Sequence, residues 1–256
     1  MPKPNDAREC FHAGIAVSGT PSGIIPSPDL VDLLVRSRED YDWPANTGST
    51  ASQARIIALM ASVSERLNDL TPASAHQIVI DVSKWAGNNK ISHRRLEAAT
   101  QTETLAMRTA IHDLLNSATE VHGLESLSRL PGLSLVISSK IYRFCCPIVG
   151  AAVDRHASYF FNSLPHSEKI FATNFRRQWA KKPGGTTRLS TYTAPSLSYN
   201  TKEFFQAYIP LLKNISDHLN AYGHTYRCAS LESHQKWTPA DVEMASYYWW
   251  AQNGAR

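Results

Sequence analysis

Only four cysteines, Cys10, Cys145, Cys146 and Cys228, occur among the 256 residues, and none forms a Cys-x-x-Cys pair or another zinc spacing. A zinc site and a disulfide scaffold are therefore excluded as organising principles, and neither a metal nor a cofactor is expected. Cys145 and Cys146 lie within an apolar stretch, where cysteine acts as a small buried hydrophobe. No apolar run approaches the length of a bilayer span. The opening MPKPNDAREC has no signal-peptide pattern, so a cytoplasmic protein is expected. Internal repeats and low-complexity segments are absent. The charge excess is small: a formal +4 with a pI near 8.9 tilts the chain only slightly toward polyanions. With 43% hydrophobic residues and a mean hydropathy of −0.30, the composition is that of a soluble globular protein with a substantial core.

What is present is helical periodicity. Residues 1–48 are rich in Pro, Gly and Ser, apart from one helical segment at 28–38 with Leu30, Leu33 and Leu34 on a face. They form an arm packed on the core, and residues 49–256 form the main helical domain. In 49–67, Ile56, Met60, Val63 and Leu67 repeat at helical spacing. Thr71-Pro72 signals a helix start, 77–83 reads as buried helix, and 92–117 as one long helix with Met107, Ile111 and Leu114 inward. Further on, 165–180 reads as a helix, 181–198 as a loop too long to be a plain connection, and 200–222 as a helix kinked at Pro210. Thr238-Pro239 opens the last helix, with acidic residues in its first turn. The fold class is all-α.

The chain is organised around residues 130–164. A helix carrying Leu124, Leu127 and Leu130 ends at Pro131-Gly132-Leu133-Ser134, a second helix spans Leu135–Cys145, and a loop leads to Asp154, which opens a third helix. Backbone N–H groups at Gly132, Leu133 and Ser134 and in the second helix's first turn would face outward at a positive dipole end, a site suited to phosphate. The motif Leu130-Pro131-Gly132-Leu133-Ser134, followed by Val153-Asp154-Arg155-His156 with 22 positions from Gly132 to Asp154, resembles the helix-hairpin-helix DNA glycosylases. The resemblance implies a two-lobed helical fold and double-stranded DNA carrying a modified base as the partner of a monomer. It also implies base flipping, and excision that leaves an abasic site.

Two departures qualify it. The family's second hairpin glycine is Ser134 here, which puts the hold on phosphate in question where a positive φ is needed. The family's Schiff-base lysine position is Val136, which implies a monofunctional enzyme; Lys140, one turn further along the same face, is the alternative nucleophile, or a solvated lysine. The chain also lacks the four-cysteine cluster with which some members hold an iron–sulfur centre.

The resemblance places Asp154 beside the sugar. Breaking an N-glycosidic bond passes through an oxocarbenium-like cation, which a nearby carboxylate stabilises while orienting water. Asp154 is equally an ordinary helix N-cap, and the two roles are compatible. His156 reads as structural, Tyr142 as a core aromatic, and Arg143 as a solvated charge. Arg155, Arg176, Arg177, Lys181 and Lys182 are candidate phosphate contacts. Trp43 and Tyr192, in segments without packing periodicity, are candidates for the wedge or pocket wall that flipping needs. The hydroxyls of 186–198 would suit a sugar-bearing base, and the preferred substrate is glucosylated hydroxymethylcytosine in phage DNA, excised as antiviral defence. A repair glycosylase, a non-catalytic hairpin module and a helical interaction protein docking through 247–250 remain the alternatives.

Overall fold

Helix start signals account for much of what folds. The computed structural model describes residues 17–18, 25–43, 48–87, 90–164, 178–182, 185–189 and 197–253. For residues 17, 18, 155, 162, 163, 178–182, 185–189 and 199 it describes the backbone alone. In α1 (Pro28–Glu39) the Ser27 hydroxyl accepts the N–H of Leu30 and Pro28 occupies the first helical position. After α2 (Ser49–Asn68), α3 (Pro72–Trp85) begins with a capping box: Thr71 Oγ1 accepts the N–H of Ser74, and Ser74 Oγ accepts the N–H of Thr71.

The long helix expected at 92–117 is two helices, α4 (Lys90–Glu97) and α5 (Gln101–Leu114). The break is made by a second capping box, in which Glu103 accepts the N–H of Thr100 at 2.8 Å and Thr100 Oγ1 accepts that of Glu103 at 3.3 Å. Thr-x-x-Glu was present in the sequence, but the apolar periodicity on either side masked it.

The hairpin helices follow as α6 (Glu120–Arg129) and α7 (Leu135–Cys145), and then α8 (Arg155–Ser163). Residues 178–180, expected at the end of a helix, instead begin β3 (Gln178–Lys182), which pairs antiparallel with β4 (Gly185–Leu189). Within the expected loop at 181–198, residues 181–182 and 185–189 thus belong to this ribbon and 197–198 begin α9 (Leu197–Glu203), while the helix expected over 165–177 lies outside the described residues. Pro183-Gly184 between β-branched and aromatic residues is a hairpin signal that a helical expectation for 165–180 had obscured.

Pro210 has its expected effect in an unexpected form. A π-helical turn, Phe204–Tyr208, separates α9 from α10 (Ile209–Ala221), with the N–H of Ile209 donating to the carbonyl of Phe204. Proline has no N–H to give to the carbonyl four residues back, and the widened turn absorbs the mismatch. A short hairpin of β5 (Tyr226–Cys228) and β6 (Ser233–Gln235) precedes α11 (Pro239–Asn253), and β1 (Val17–Ser18) pairs with β2 (Ile25–Pro26). The protein is mostly helical, with two-stranded ribbons only among the described residues.

One core unites these elements. Leu30 and Leu34 of α1, Ile78 and Val82 of α3, Ile141 of α7, Phe160 of α8 and Leu212 of α10 are wholly buried within it. No described helix is long and apolar enough to cross a membrane.

Candidate functional site

The site is built outward from α7. At its N-terminal end Gly132 adopts φ +86°, and a Cβ there would lie 2.9 Å from the carbonyl oxygen of Ser92 and 3.1 Å from Leu96. Glycine is required both by conformation and by the close approach of α4. Ser134, by contrast, has φ −148°, extended backbone open to any residue, so its replacement of glycine costs the turn nothing. The phosphate-facing amides differ from expectation by one position. The N–H of Leu133 is spent on the carbonyl of Leu130 at 3.0 Å, and the Leu133 side chain packs on the core. Ser134 gives α7 no side-chain cap, and the N–H groups of Ser134, Leu135 and Val136 form no hydrogen bond among the described residues.

The middle of α7 fixes the loop to Asp154. Ser139 Oγ accepts the N–H of Val153 at 3.0 Å, and the Tyr208 hydroxyl donates to the carbonyl of Ala152 at 3.0 Å. Ala151, Ala152 and Val153 are fully buried. Asp154, itself buried, caps α8: Oδ1 accepts the N–H groups of His156 at 2.8 Å and Ala157 at 3.0 Å. Oδ2 forms no hydrogen bond among the described residues.

Lys140, one helical step past Ser139, points into the same region. Its Nζ lies 5.8 Å from the centroid of the Trp43 ring and 5.9 Å from that of Trp85, at cation–π range. Trp43 is no protruding wedge: its Nε1 donates to the carbonyl of Trp85 at 3.1 Å, and its ring stands edge-on to Tyr247 at 5.7 Å. Tyr247 in turn meets His156 edge-on at 5.2 Å, which carries the aromatic wall back to the Asp154 cap. Crowding by protein lowers the pKa of Lys140 by desolvation, partly offset by the Asp154 and Glu243 carboxyls. Some Lys140 surface nevertheless remains accessible.

Arg143, expected to be solvated, is 4% exposed. It needed a partner, and its Nη1 lies 3.5 Å from Oε2 of Glu243 in α11. The acidic first turn of α11 was expected to complement the helix dipole. Asp241 stands in that turn, and it and Glu243 are both buried: Asp241 Oδ1 accepts from Arg38 Nε at 2.8 Å and from the Tyr226 hydroxyl at 2.9 Å. Burial pushes the Glu243 carboxyl up to about 8, against the pull of Arg143 and with the repulsion of Asp154 adding to it. Sequence reasoning missed Arg38, Tyr208, Asp241 and Glu243. Charges on an otherwise apolar α11 were the available signal.

Of the expected site residues, Trp43 and Lys140 are therefore neighbours, and the Trp43–Tyr247–His156 contacts link them to the helix that Asp154 caps. Lys181 and Lys182 lie on β3 and Arg155 begins α8, while Arg176, Arg177 and Tyr192 fall outside the described residues. A separate cavity of about 220 Å³ opens between α2, α7, α11 and β5–β6, lined mainly by apolar groups such as Ile56, Met60 and Met244; it reaches Arg143 but neither Lys140 nor Asp154. Among the described residues, no group of three or more His, Cys, Asp or Glu side chains is arranged to hold a metal ion. No protein-family model, curated protein or solved structure matches the chain.

Proposed function

We propose that the protein is a monofunctional DNA glycosylase of the helix-hairpin-helix type. In this reading the open amides of Ser134, Leu135 and Val136 hold a backbone phosphate, and Asp154 faces the sugar of the flipped nucleotide. The supporting observation is the placement of Asp154: its loop is tied to the hairpin's second helix at Val153, its Oδ2 forms no hydrogen bond among the described residues, and the His156–Tyr247–Trp43 contacts run from the helix it caps to Lys140. As the N-glycosidic bond lengthens, positive charge grows on the sugar, and a fixed carboxylate stabilises it more than it does the ground state. The same carboxylate orients the water that adds to C1′.

The favoured substrate class is a hypermodified, glucosylated cytosine. A second reading, a non-catalytic DNA-binding module, is favoured by the two cap bonds to Asp154 Oδ1, which give that residue a purely structural use. The two separate in one assay. Purified protein and Asp154→Asn are incubated with bacterial DNA, with phage DNA carrying hydroxymethylated or glucosylated cytosine, and with duplexes containing uracil, oxidised guanine or alkylated purines, and alkali-labile sites are counted. The glycosylase reading requires sites that depend on Asp154 on one of these DNAs. Salt-dependent binding without such sites would leave the module.

A further inference from the structure

The cavity between α2, α7, α11 and β5–β6 takes no part in the proposed reaction, and its polar lining is one-sided. Its body is apolar, built from Ile56, Ile57, Phe144 and Pro147 with Met60 and Met244. Met60, Leu231 and Lys236 of the lining are exposed, which gives the cavity a mouth. At about 220 Å³ it is smaller than the roughly 300–1,000 Å³ of sites that hold drug-sized molecules, so its guest is small.

The one carboxylate in the lining is spent. Asp241 Oδ1 accepts from Arg38 Nε and the Tyr226 hydroxyl, and Oδ2 accepts the N–H of Thr238 at 2.9 Å and its hydroxyl at 2.6 Å. The donors are not. Arg38, 4% exposed, keeps Nη1 without a hydrogen-bond partner among the described residues, and Gln53, 1% exposed, keeps Nε2 without one. The Gln53 Oε1 is already turned to the N–H of Ser230 at 3.4 Å, which fixes the amide's orientation. Arg143 donates to Met244 Sδ at 2.9 Å, a weak acceptor, and its Nη1 lies 3.5 Å from Glu243 Oε2, which itself accepts no hydrogen bond. Three cations, Arg38, Arg143 and Lys236, therefore line the cavity against a single carboxylate. Buried donors left unpaired are costly, and an acceptor brought in by a guest relieves that cost.

We infer that this cavity binds a small monocarboxylate with an apolar body, its carboxylate accepting from Arg38, Gln53 and Arg143 and its body lying along Ile56, Phe144 and Met244. Charge selects the class. A cationic guest would add to the positive lining, and a neutral one would leave it unbalanced. An inorganic anion would satisfy the donors but leave the apolar walls wet. The inference is independent of the glycosylase reading, because the cavity reaches neither Lys140 nor Asp154.

The test uses the full chain and octanoate, a probe of about ten non-hydrogen atoms, read by methionine methyl NMR. Of the four methionines, Met60 and Met244 line the cavity, and Met107 is buried outside it. Octanoate should shift the Met60 and Met244 signals saturably, with a dissociation constant below about 1 mM, and leave Met107 in place. Octylammonium, the same body with the opposite charge, should not. This contrast needs no variant. Gln53→Leu and Arg143→Leu should each weaken octanoate binding about tenfold, because a donor to a charged acceptor is lost. Met60→Trp, a change at the exposed mouth, should block entry, and an unmoved Met107 signal in each variant verifies that it is folded. An equal response to the two ions, no saturable shift of Met60 and Met244, unchanged affinity in either donor variant, or binding that survives Met60→Trp overturns the proposal.

Discussion

Ser139 Oγ and the backbone N–H of Val153 are joined by a 3.0 Å hydrogen bond, and this bond fastens the centre of α7 to the residue before Asp154. Ser139→Ala leaves a buried N–H unpaired, at a cost of about 1–3 kcal/mol. Denaturant unfolding should show that loss. Base release should fall further than stability does, since Asp154 would lose its register while still capping α8. Equal activity in the destabilised variant would disconnect the strap from the site.

Gly132 and Ser134 make opposite predictions. Gly132→Ala forces a side chain into positive φ and against the Ser92 carbonyl, and should cost about 1–3 kcal/mol. Ser134→Gly, at φ −148°, should leave both stability and DNA affinity nearly unchanged. A large gain in affinity for Ser134→Gly would mean that the hairpin requires the glycine after all.

Arg38, Asp241 and Tyr226 form the buried polar group that joins α1, β5 and α11. Asp241→Ala strands the Arg38 guanidinium and removes the acceptor for the Thr238 N–H, so the expected loss is about 3–5 kcal/mol. Adding Arg38→Met should cost less than a second loss of that size, because the stranded charge is gone. Additive losses would show that the two side chains are energetically independent.

Glu243 gives stability a predictable pH slope. Its folded-state value, near 8, lies above the unfolded value of about 4.3, so between these the folded chain binds a proton that the unfolded chain has released. The contribution is complete below pH about 4.3 and is lost as pH rises through about 8. Lys140, shifted down, acts oppositely and at higher pH, below the unfolded lysine value of about 10.4. Urea unfolding from pH 5 to 8.5 should therefore show the wild type losing stability relative to Glu243→Gln. A constant difference between the two across that range would show that Glu243 does not change charge within it.

The helical elements were legible where caps and periodicity agreed. α7 was bounded correctly from Pro131-Gly132 and its apolar run, and α3 from Thr71-Pro72. The two misreadings have different physical causes: at Thr100-x-x-Glu103 helical spacing was continued across a cap that outweighed it, and at 178–189 a strand pair was divided between a helix ending at 180 and a loop. Asp154 and Lys140 were legible as candidates only through the resemblance to the helix-hairpin-helix glycosylases; local spacing alone reads them as a helix cap and a solvated lysine. Their neighbours were not. The places of Trp85 and Glu243 follow only from the packing of α7 against its neighbours, and long-range charge pairing leaves no trace in local spacing.

The most direct measurement of the central claim is mass spectrometry of the free base released when the protein is incubated with phage DNA bearing glucosylated hydroxymethylcytosine. The account predicts release of the intact modified base, matched by an equal number of abasic sites and abolished in Asp154→Asn. Release that persists in Asp154→Asn, or no release from this DNA or from any of the damaged and modified duplexes, would contradict it.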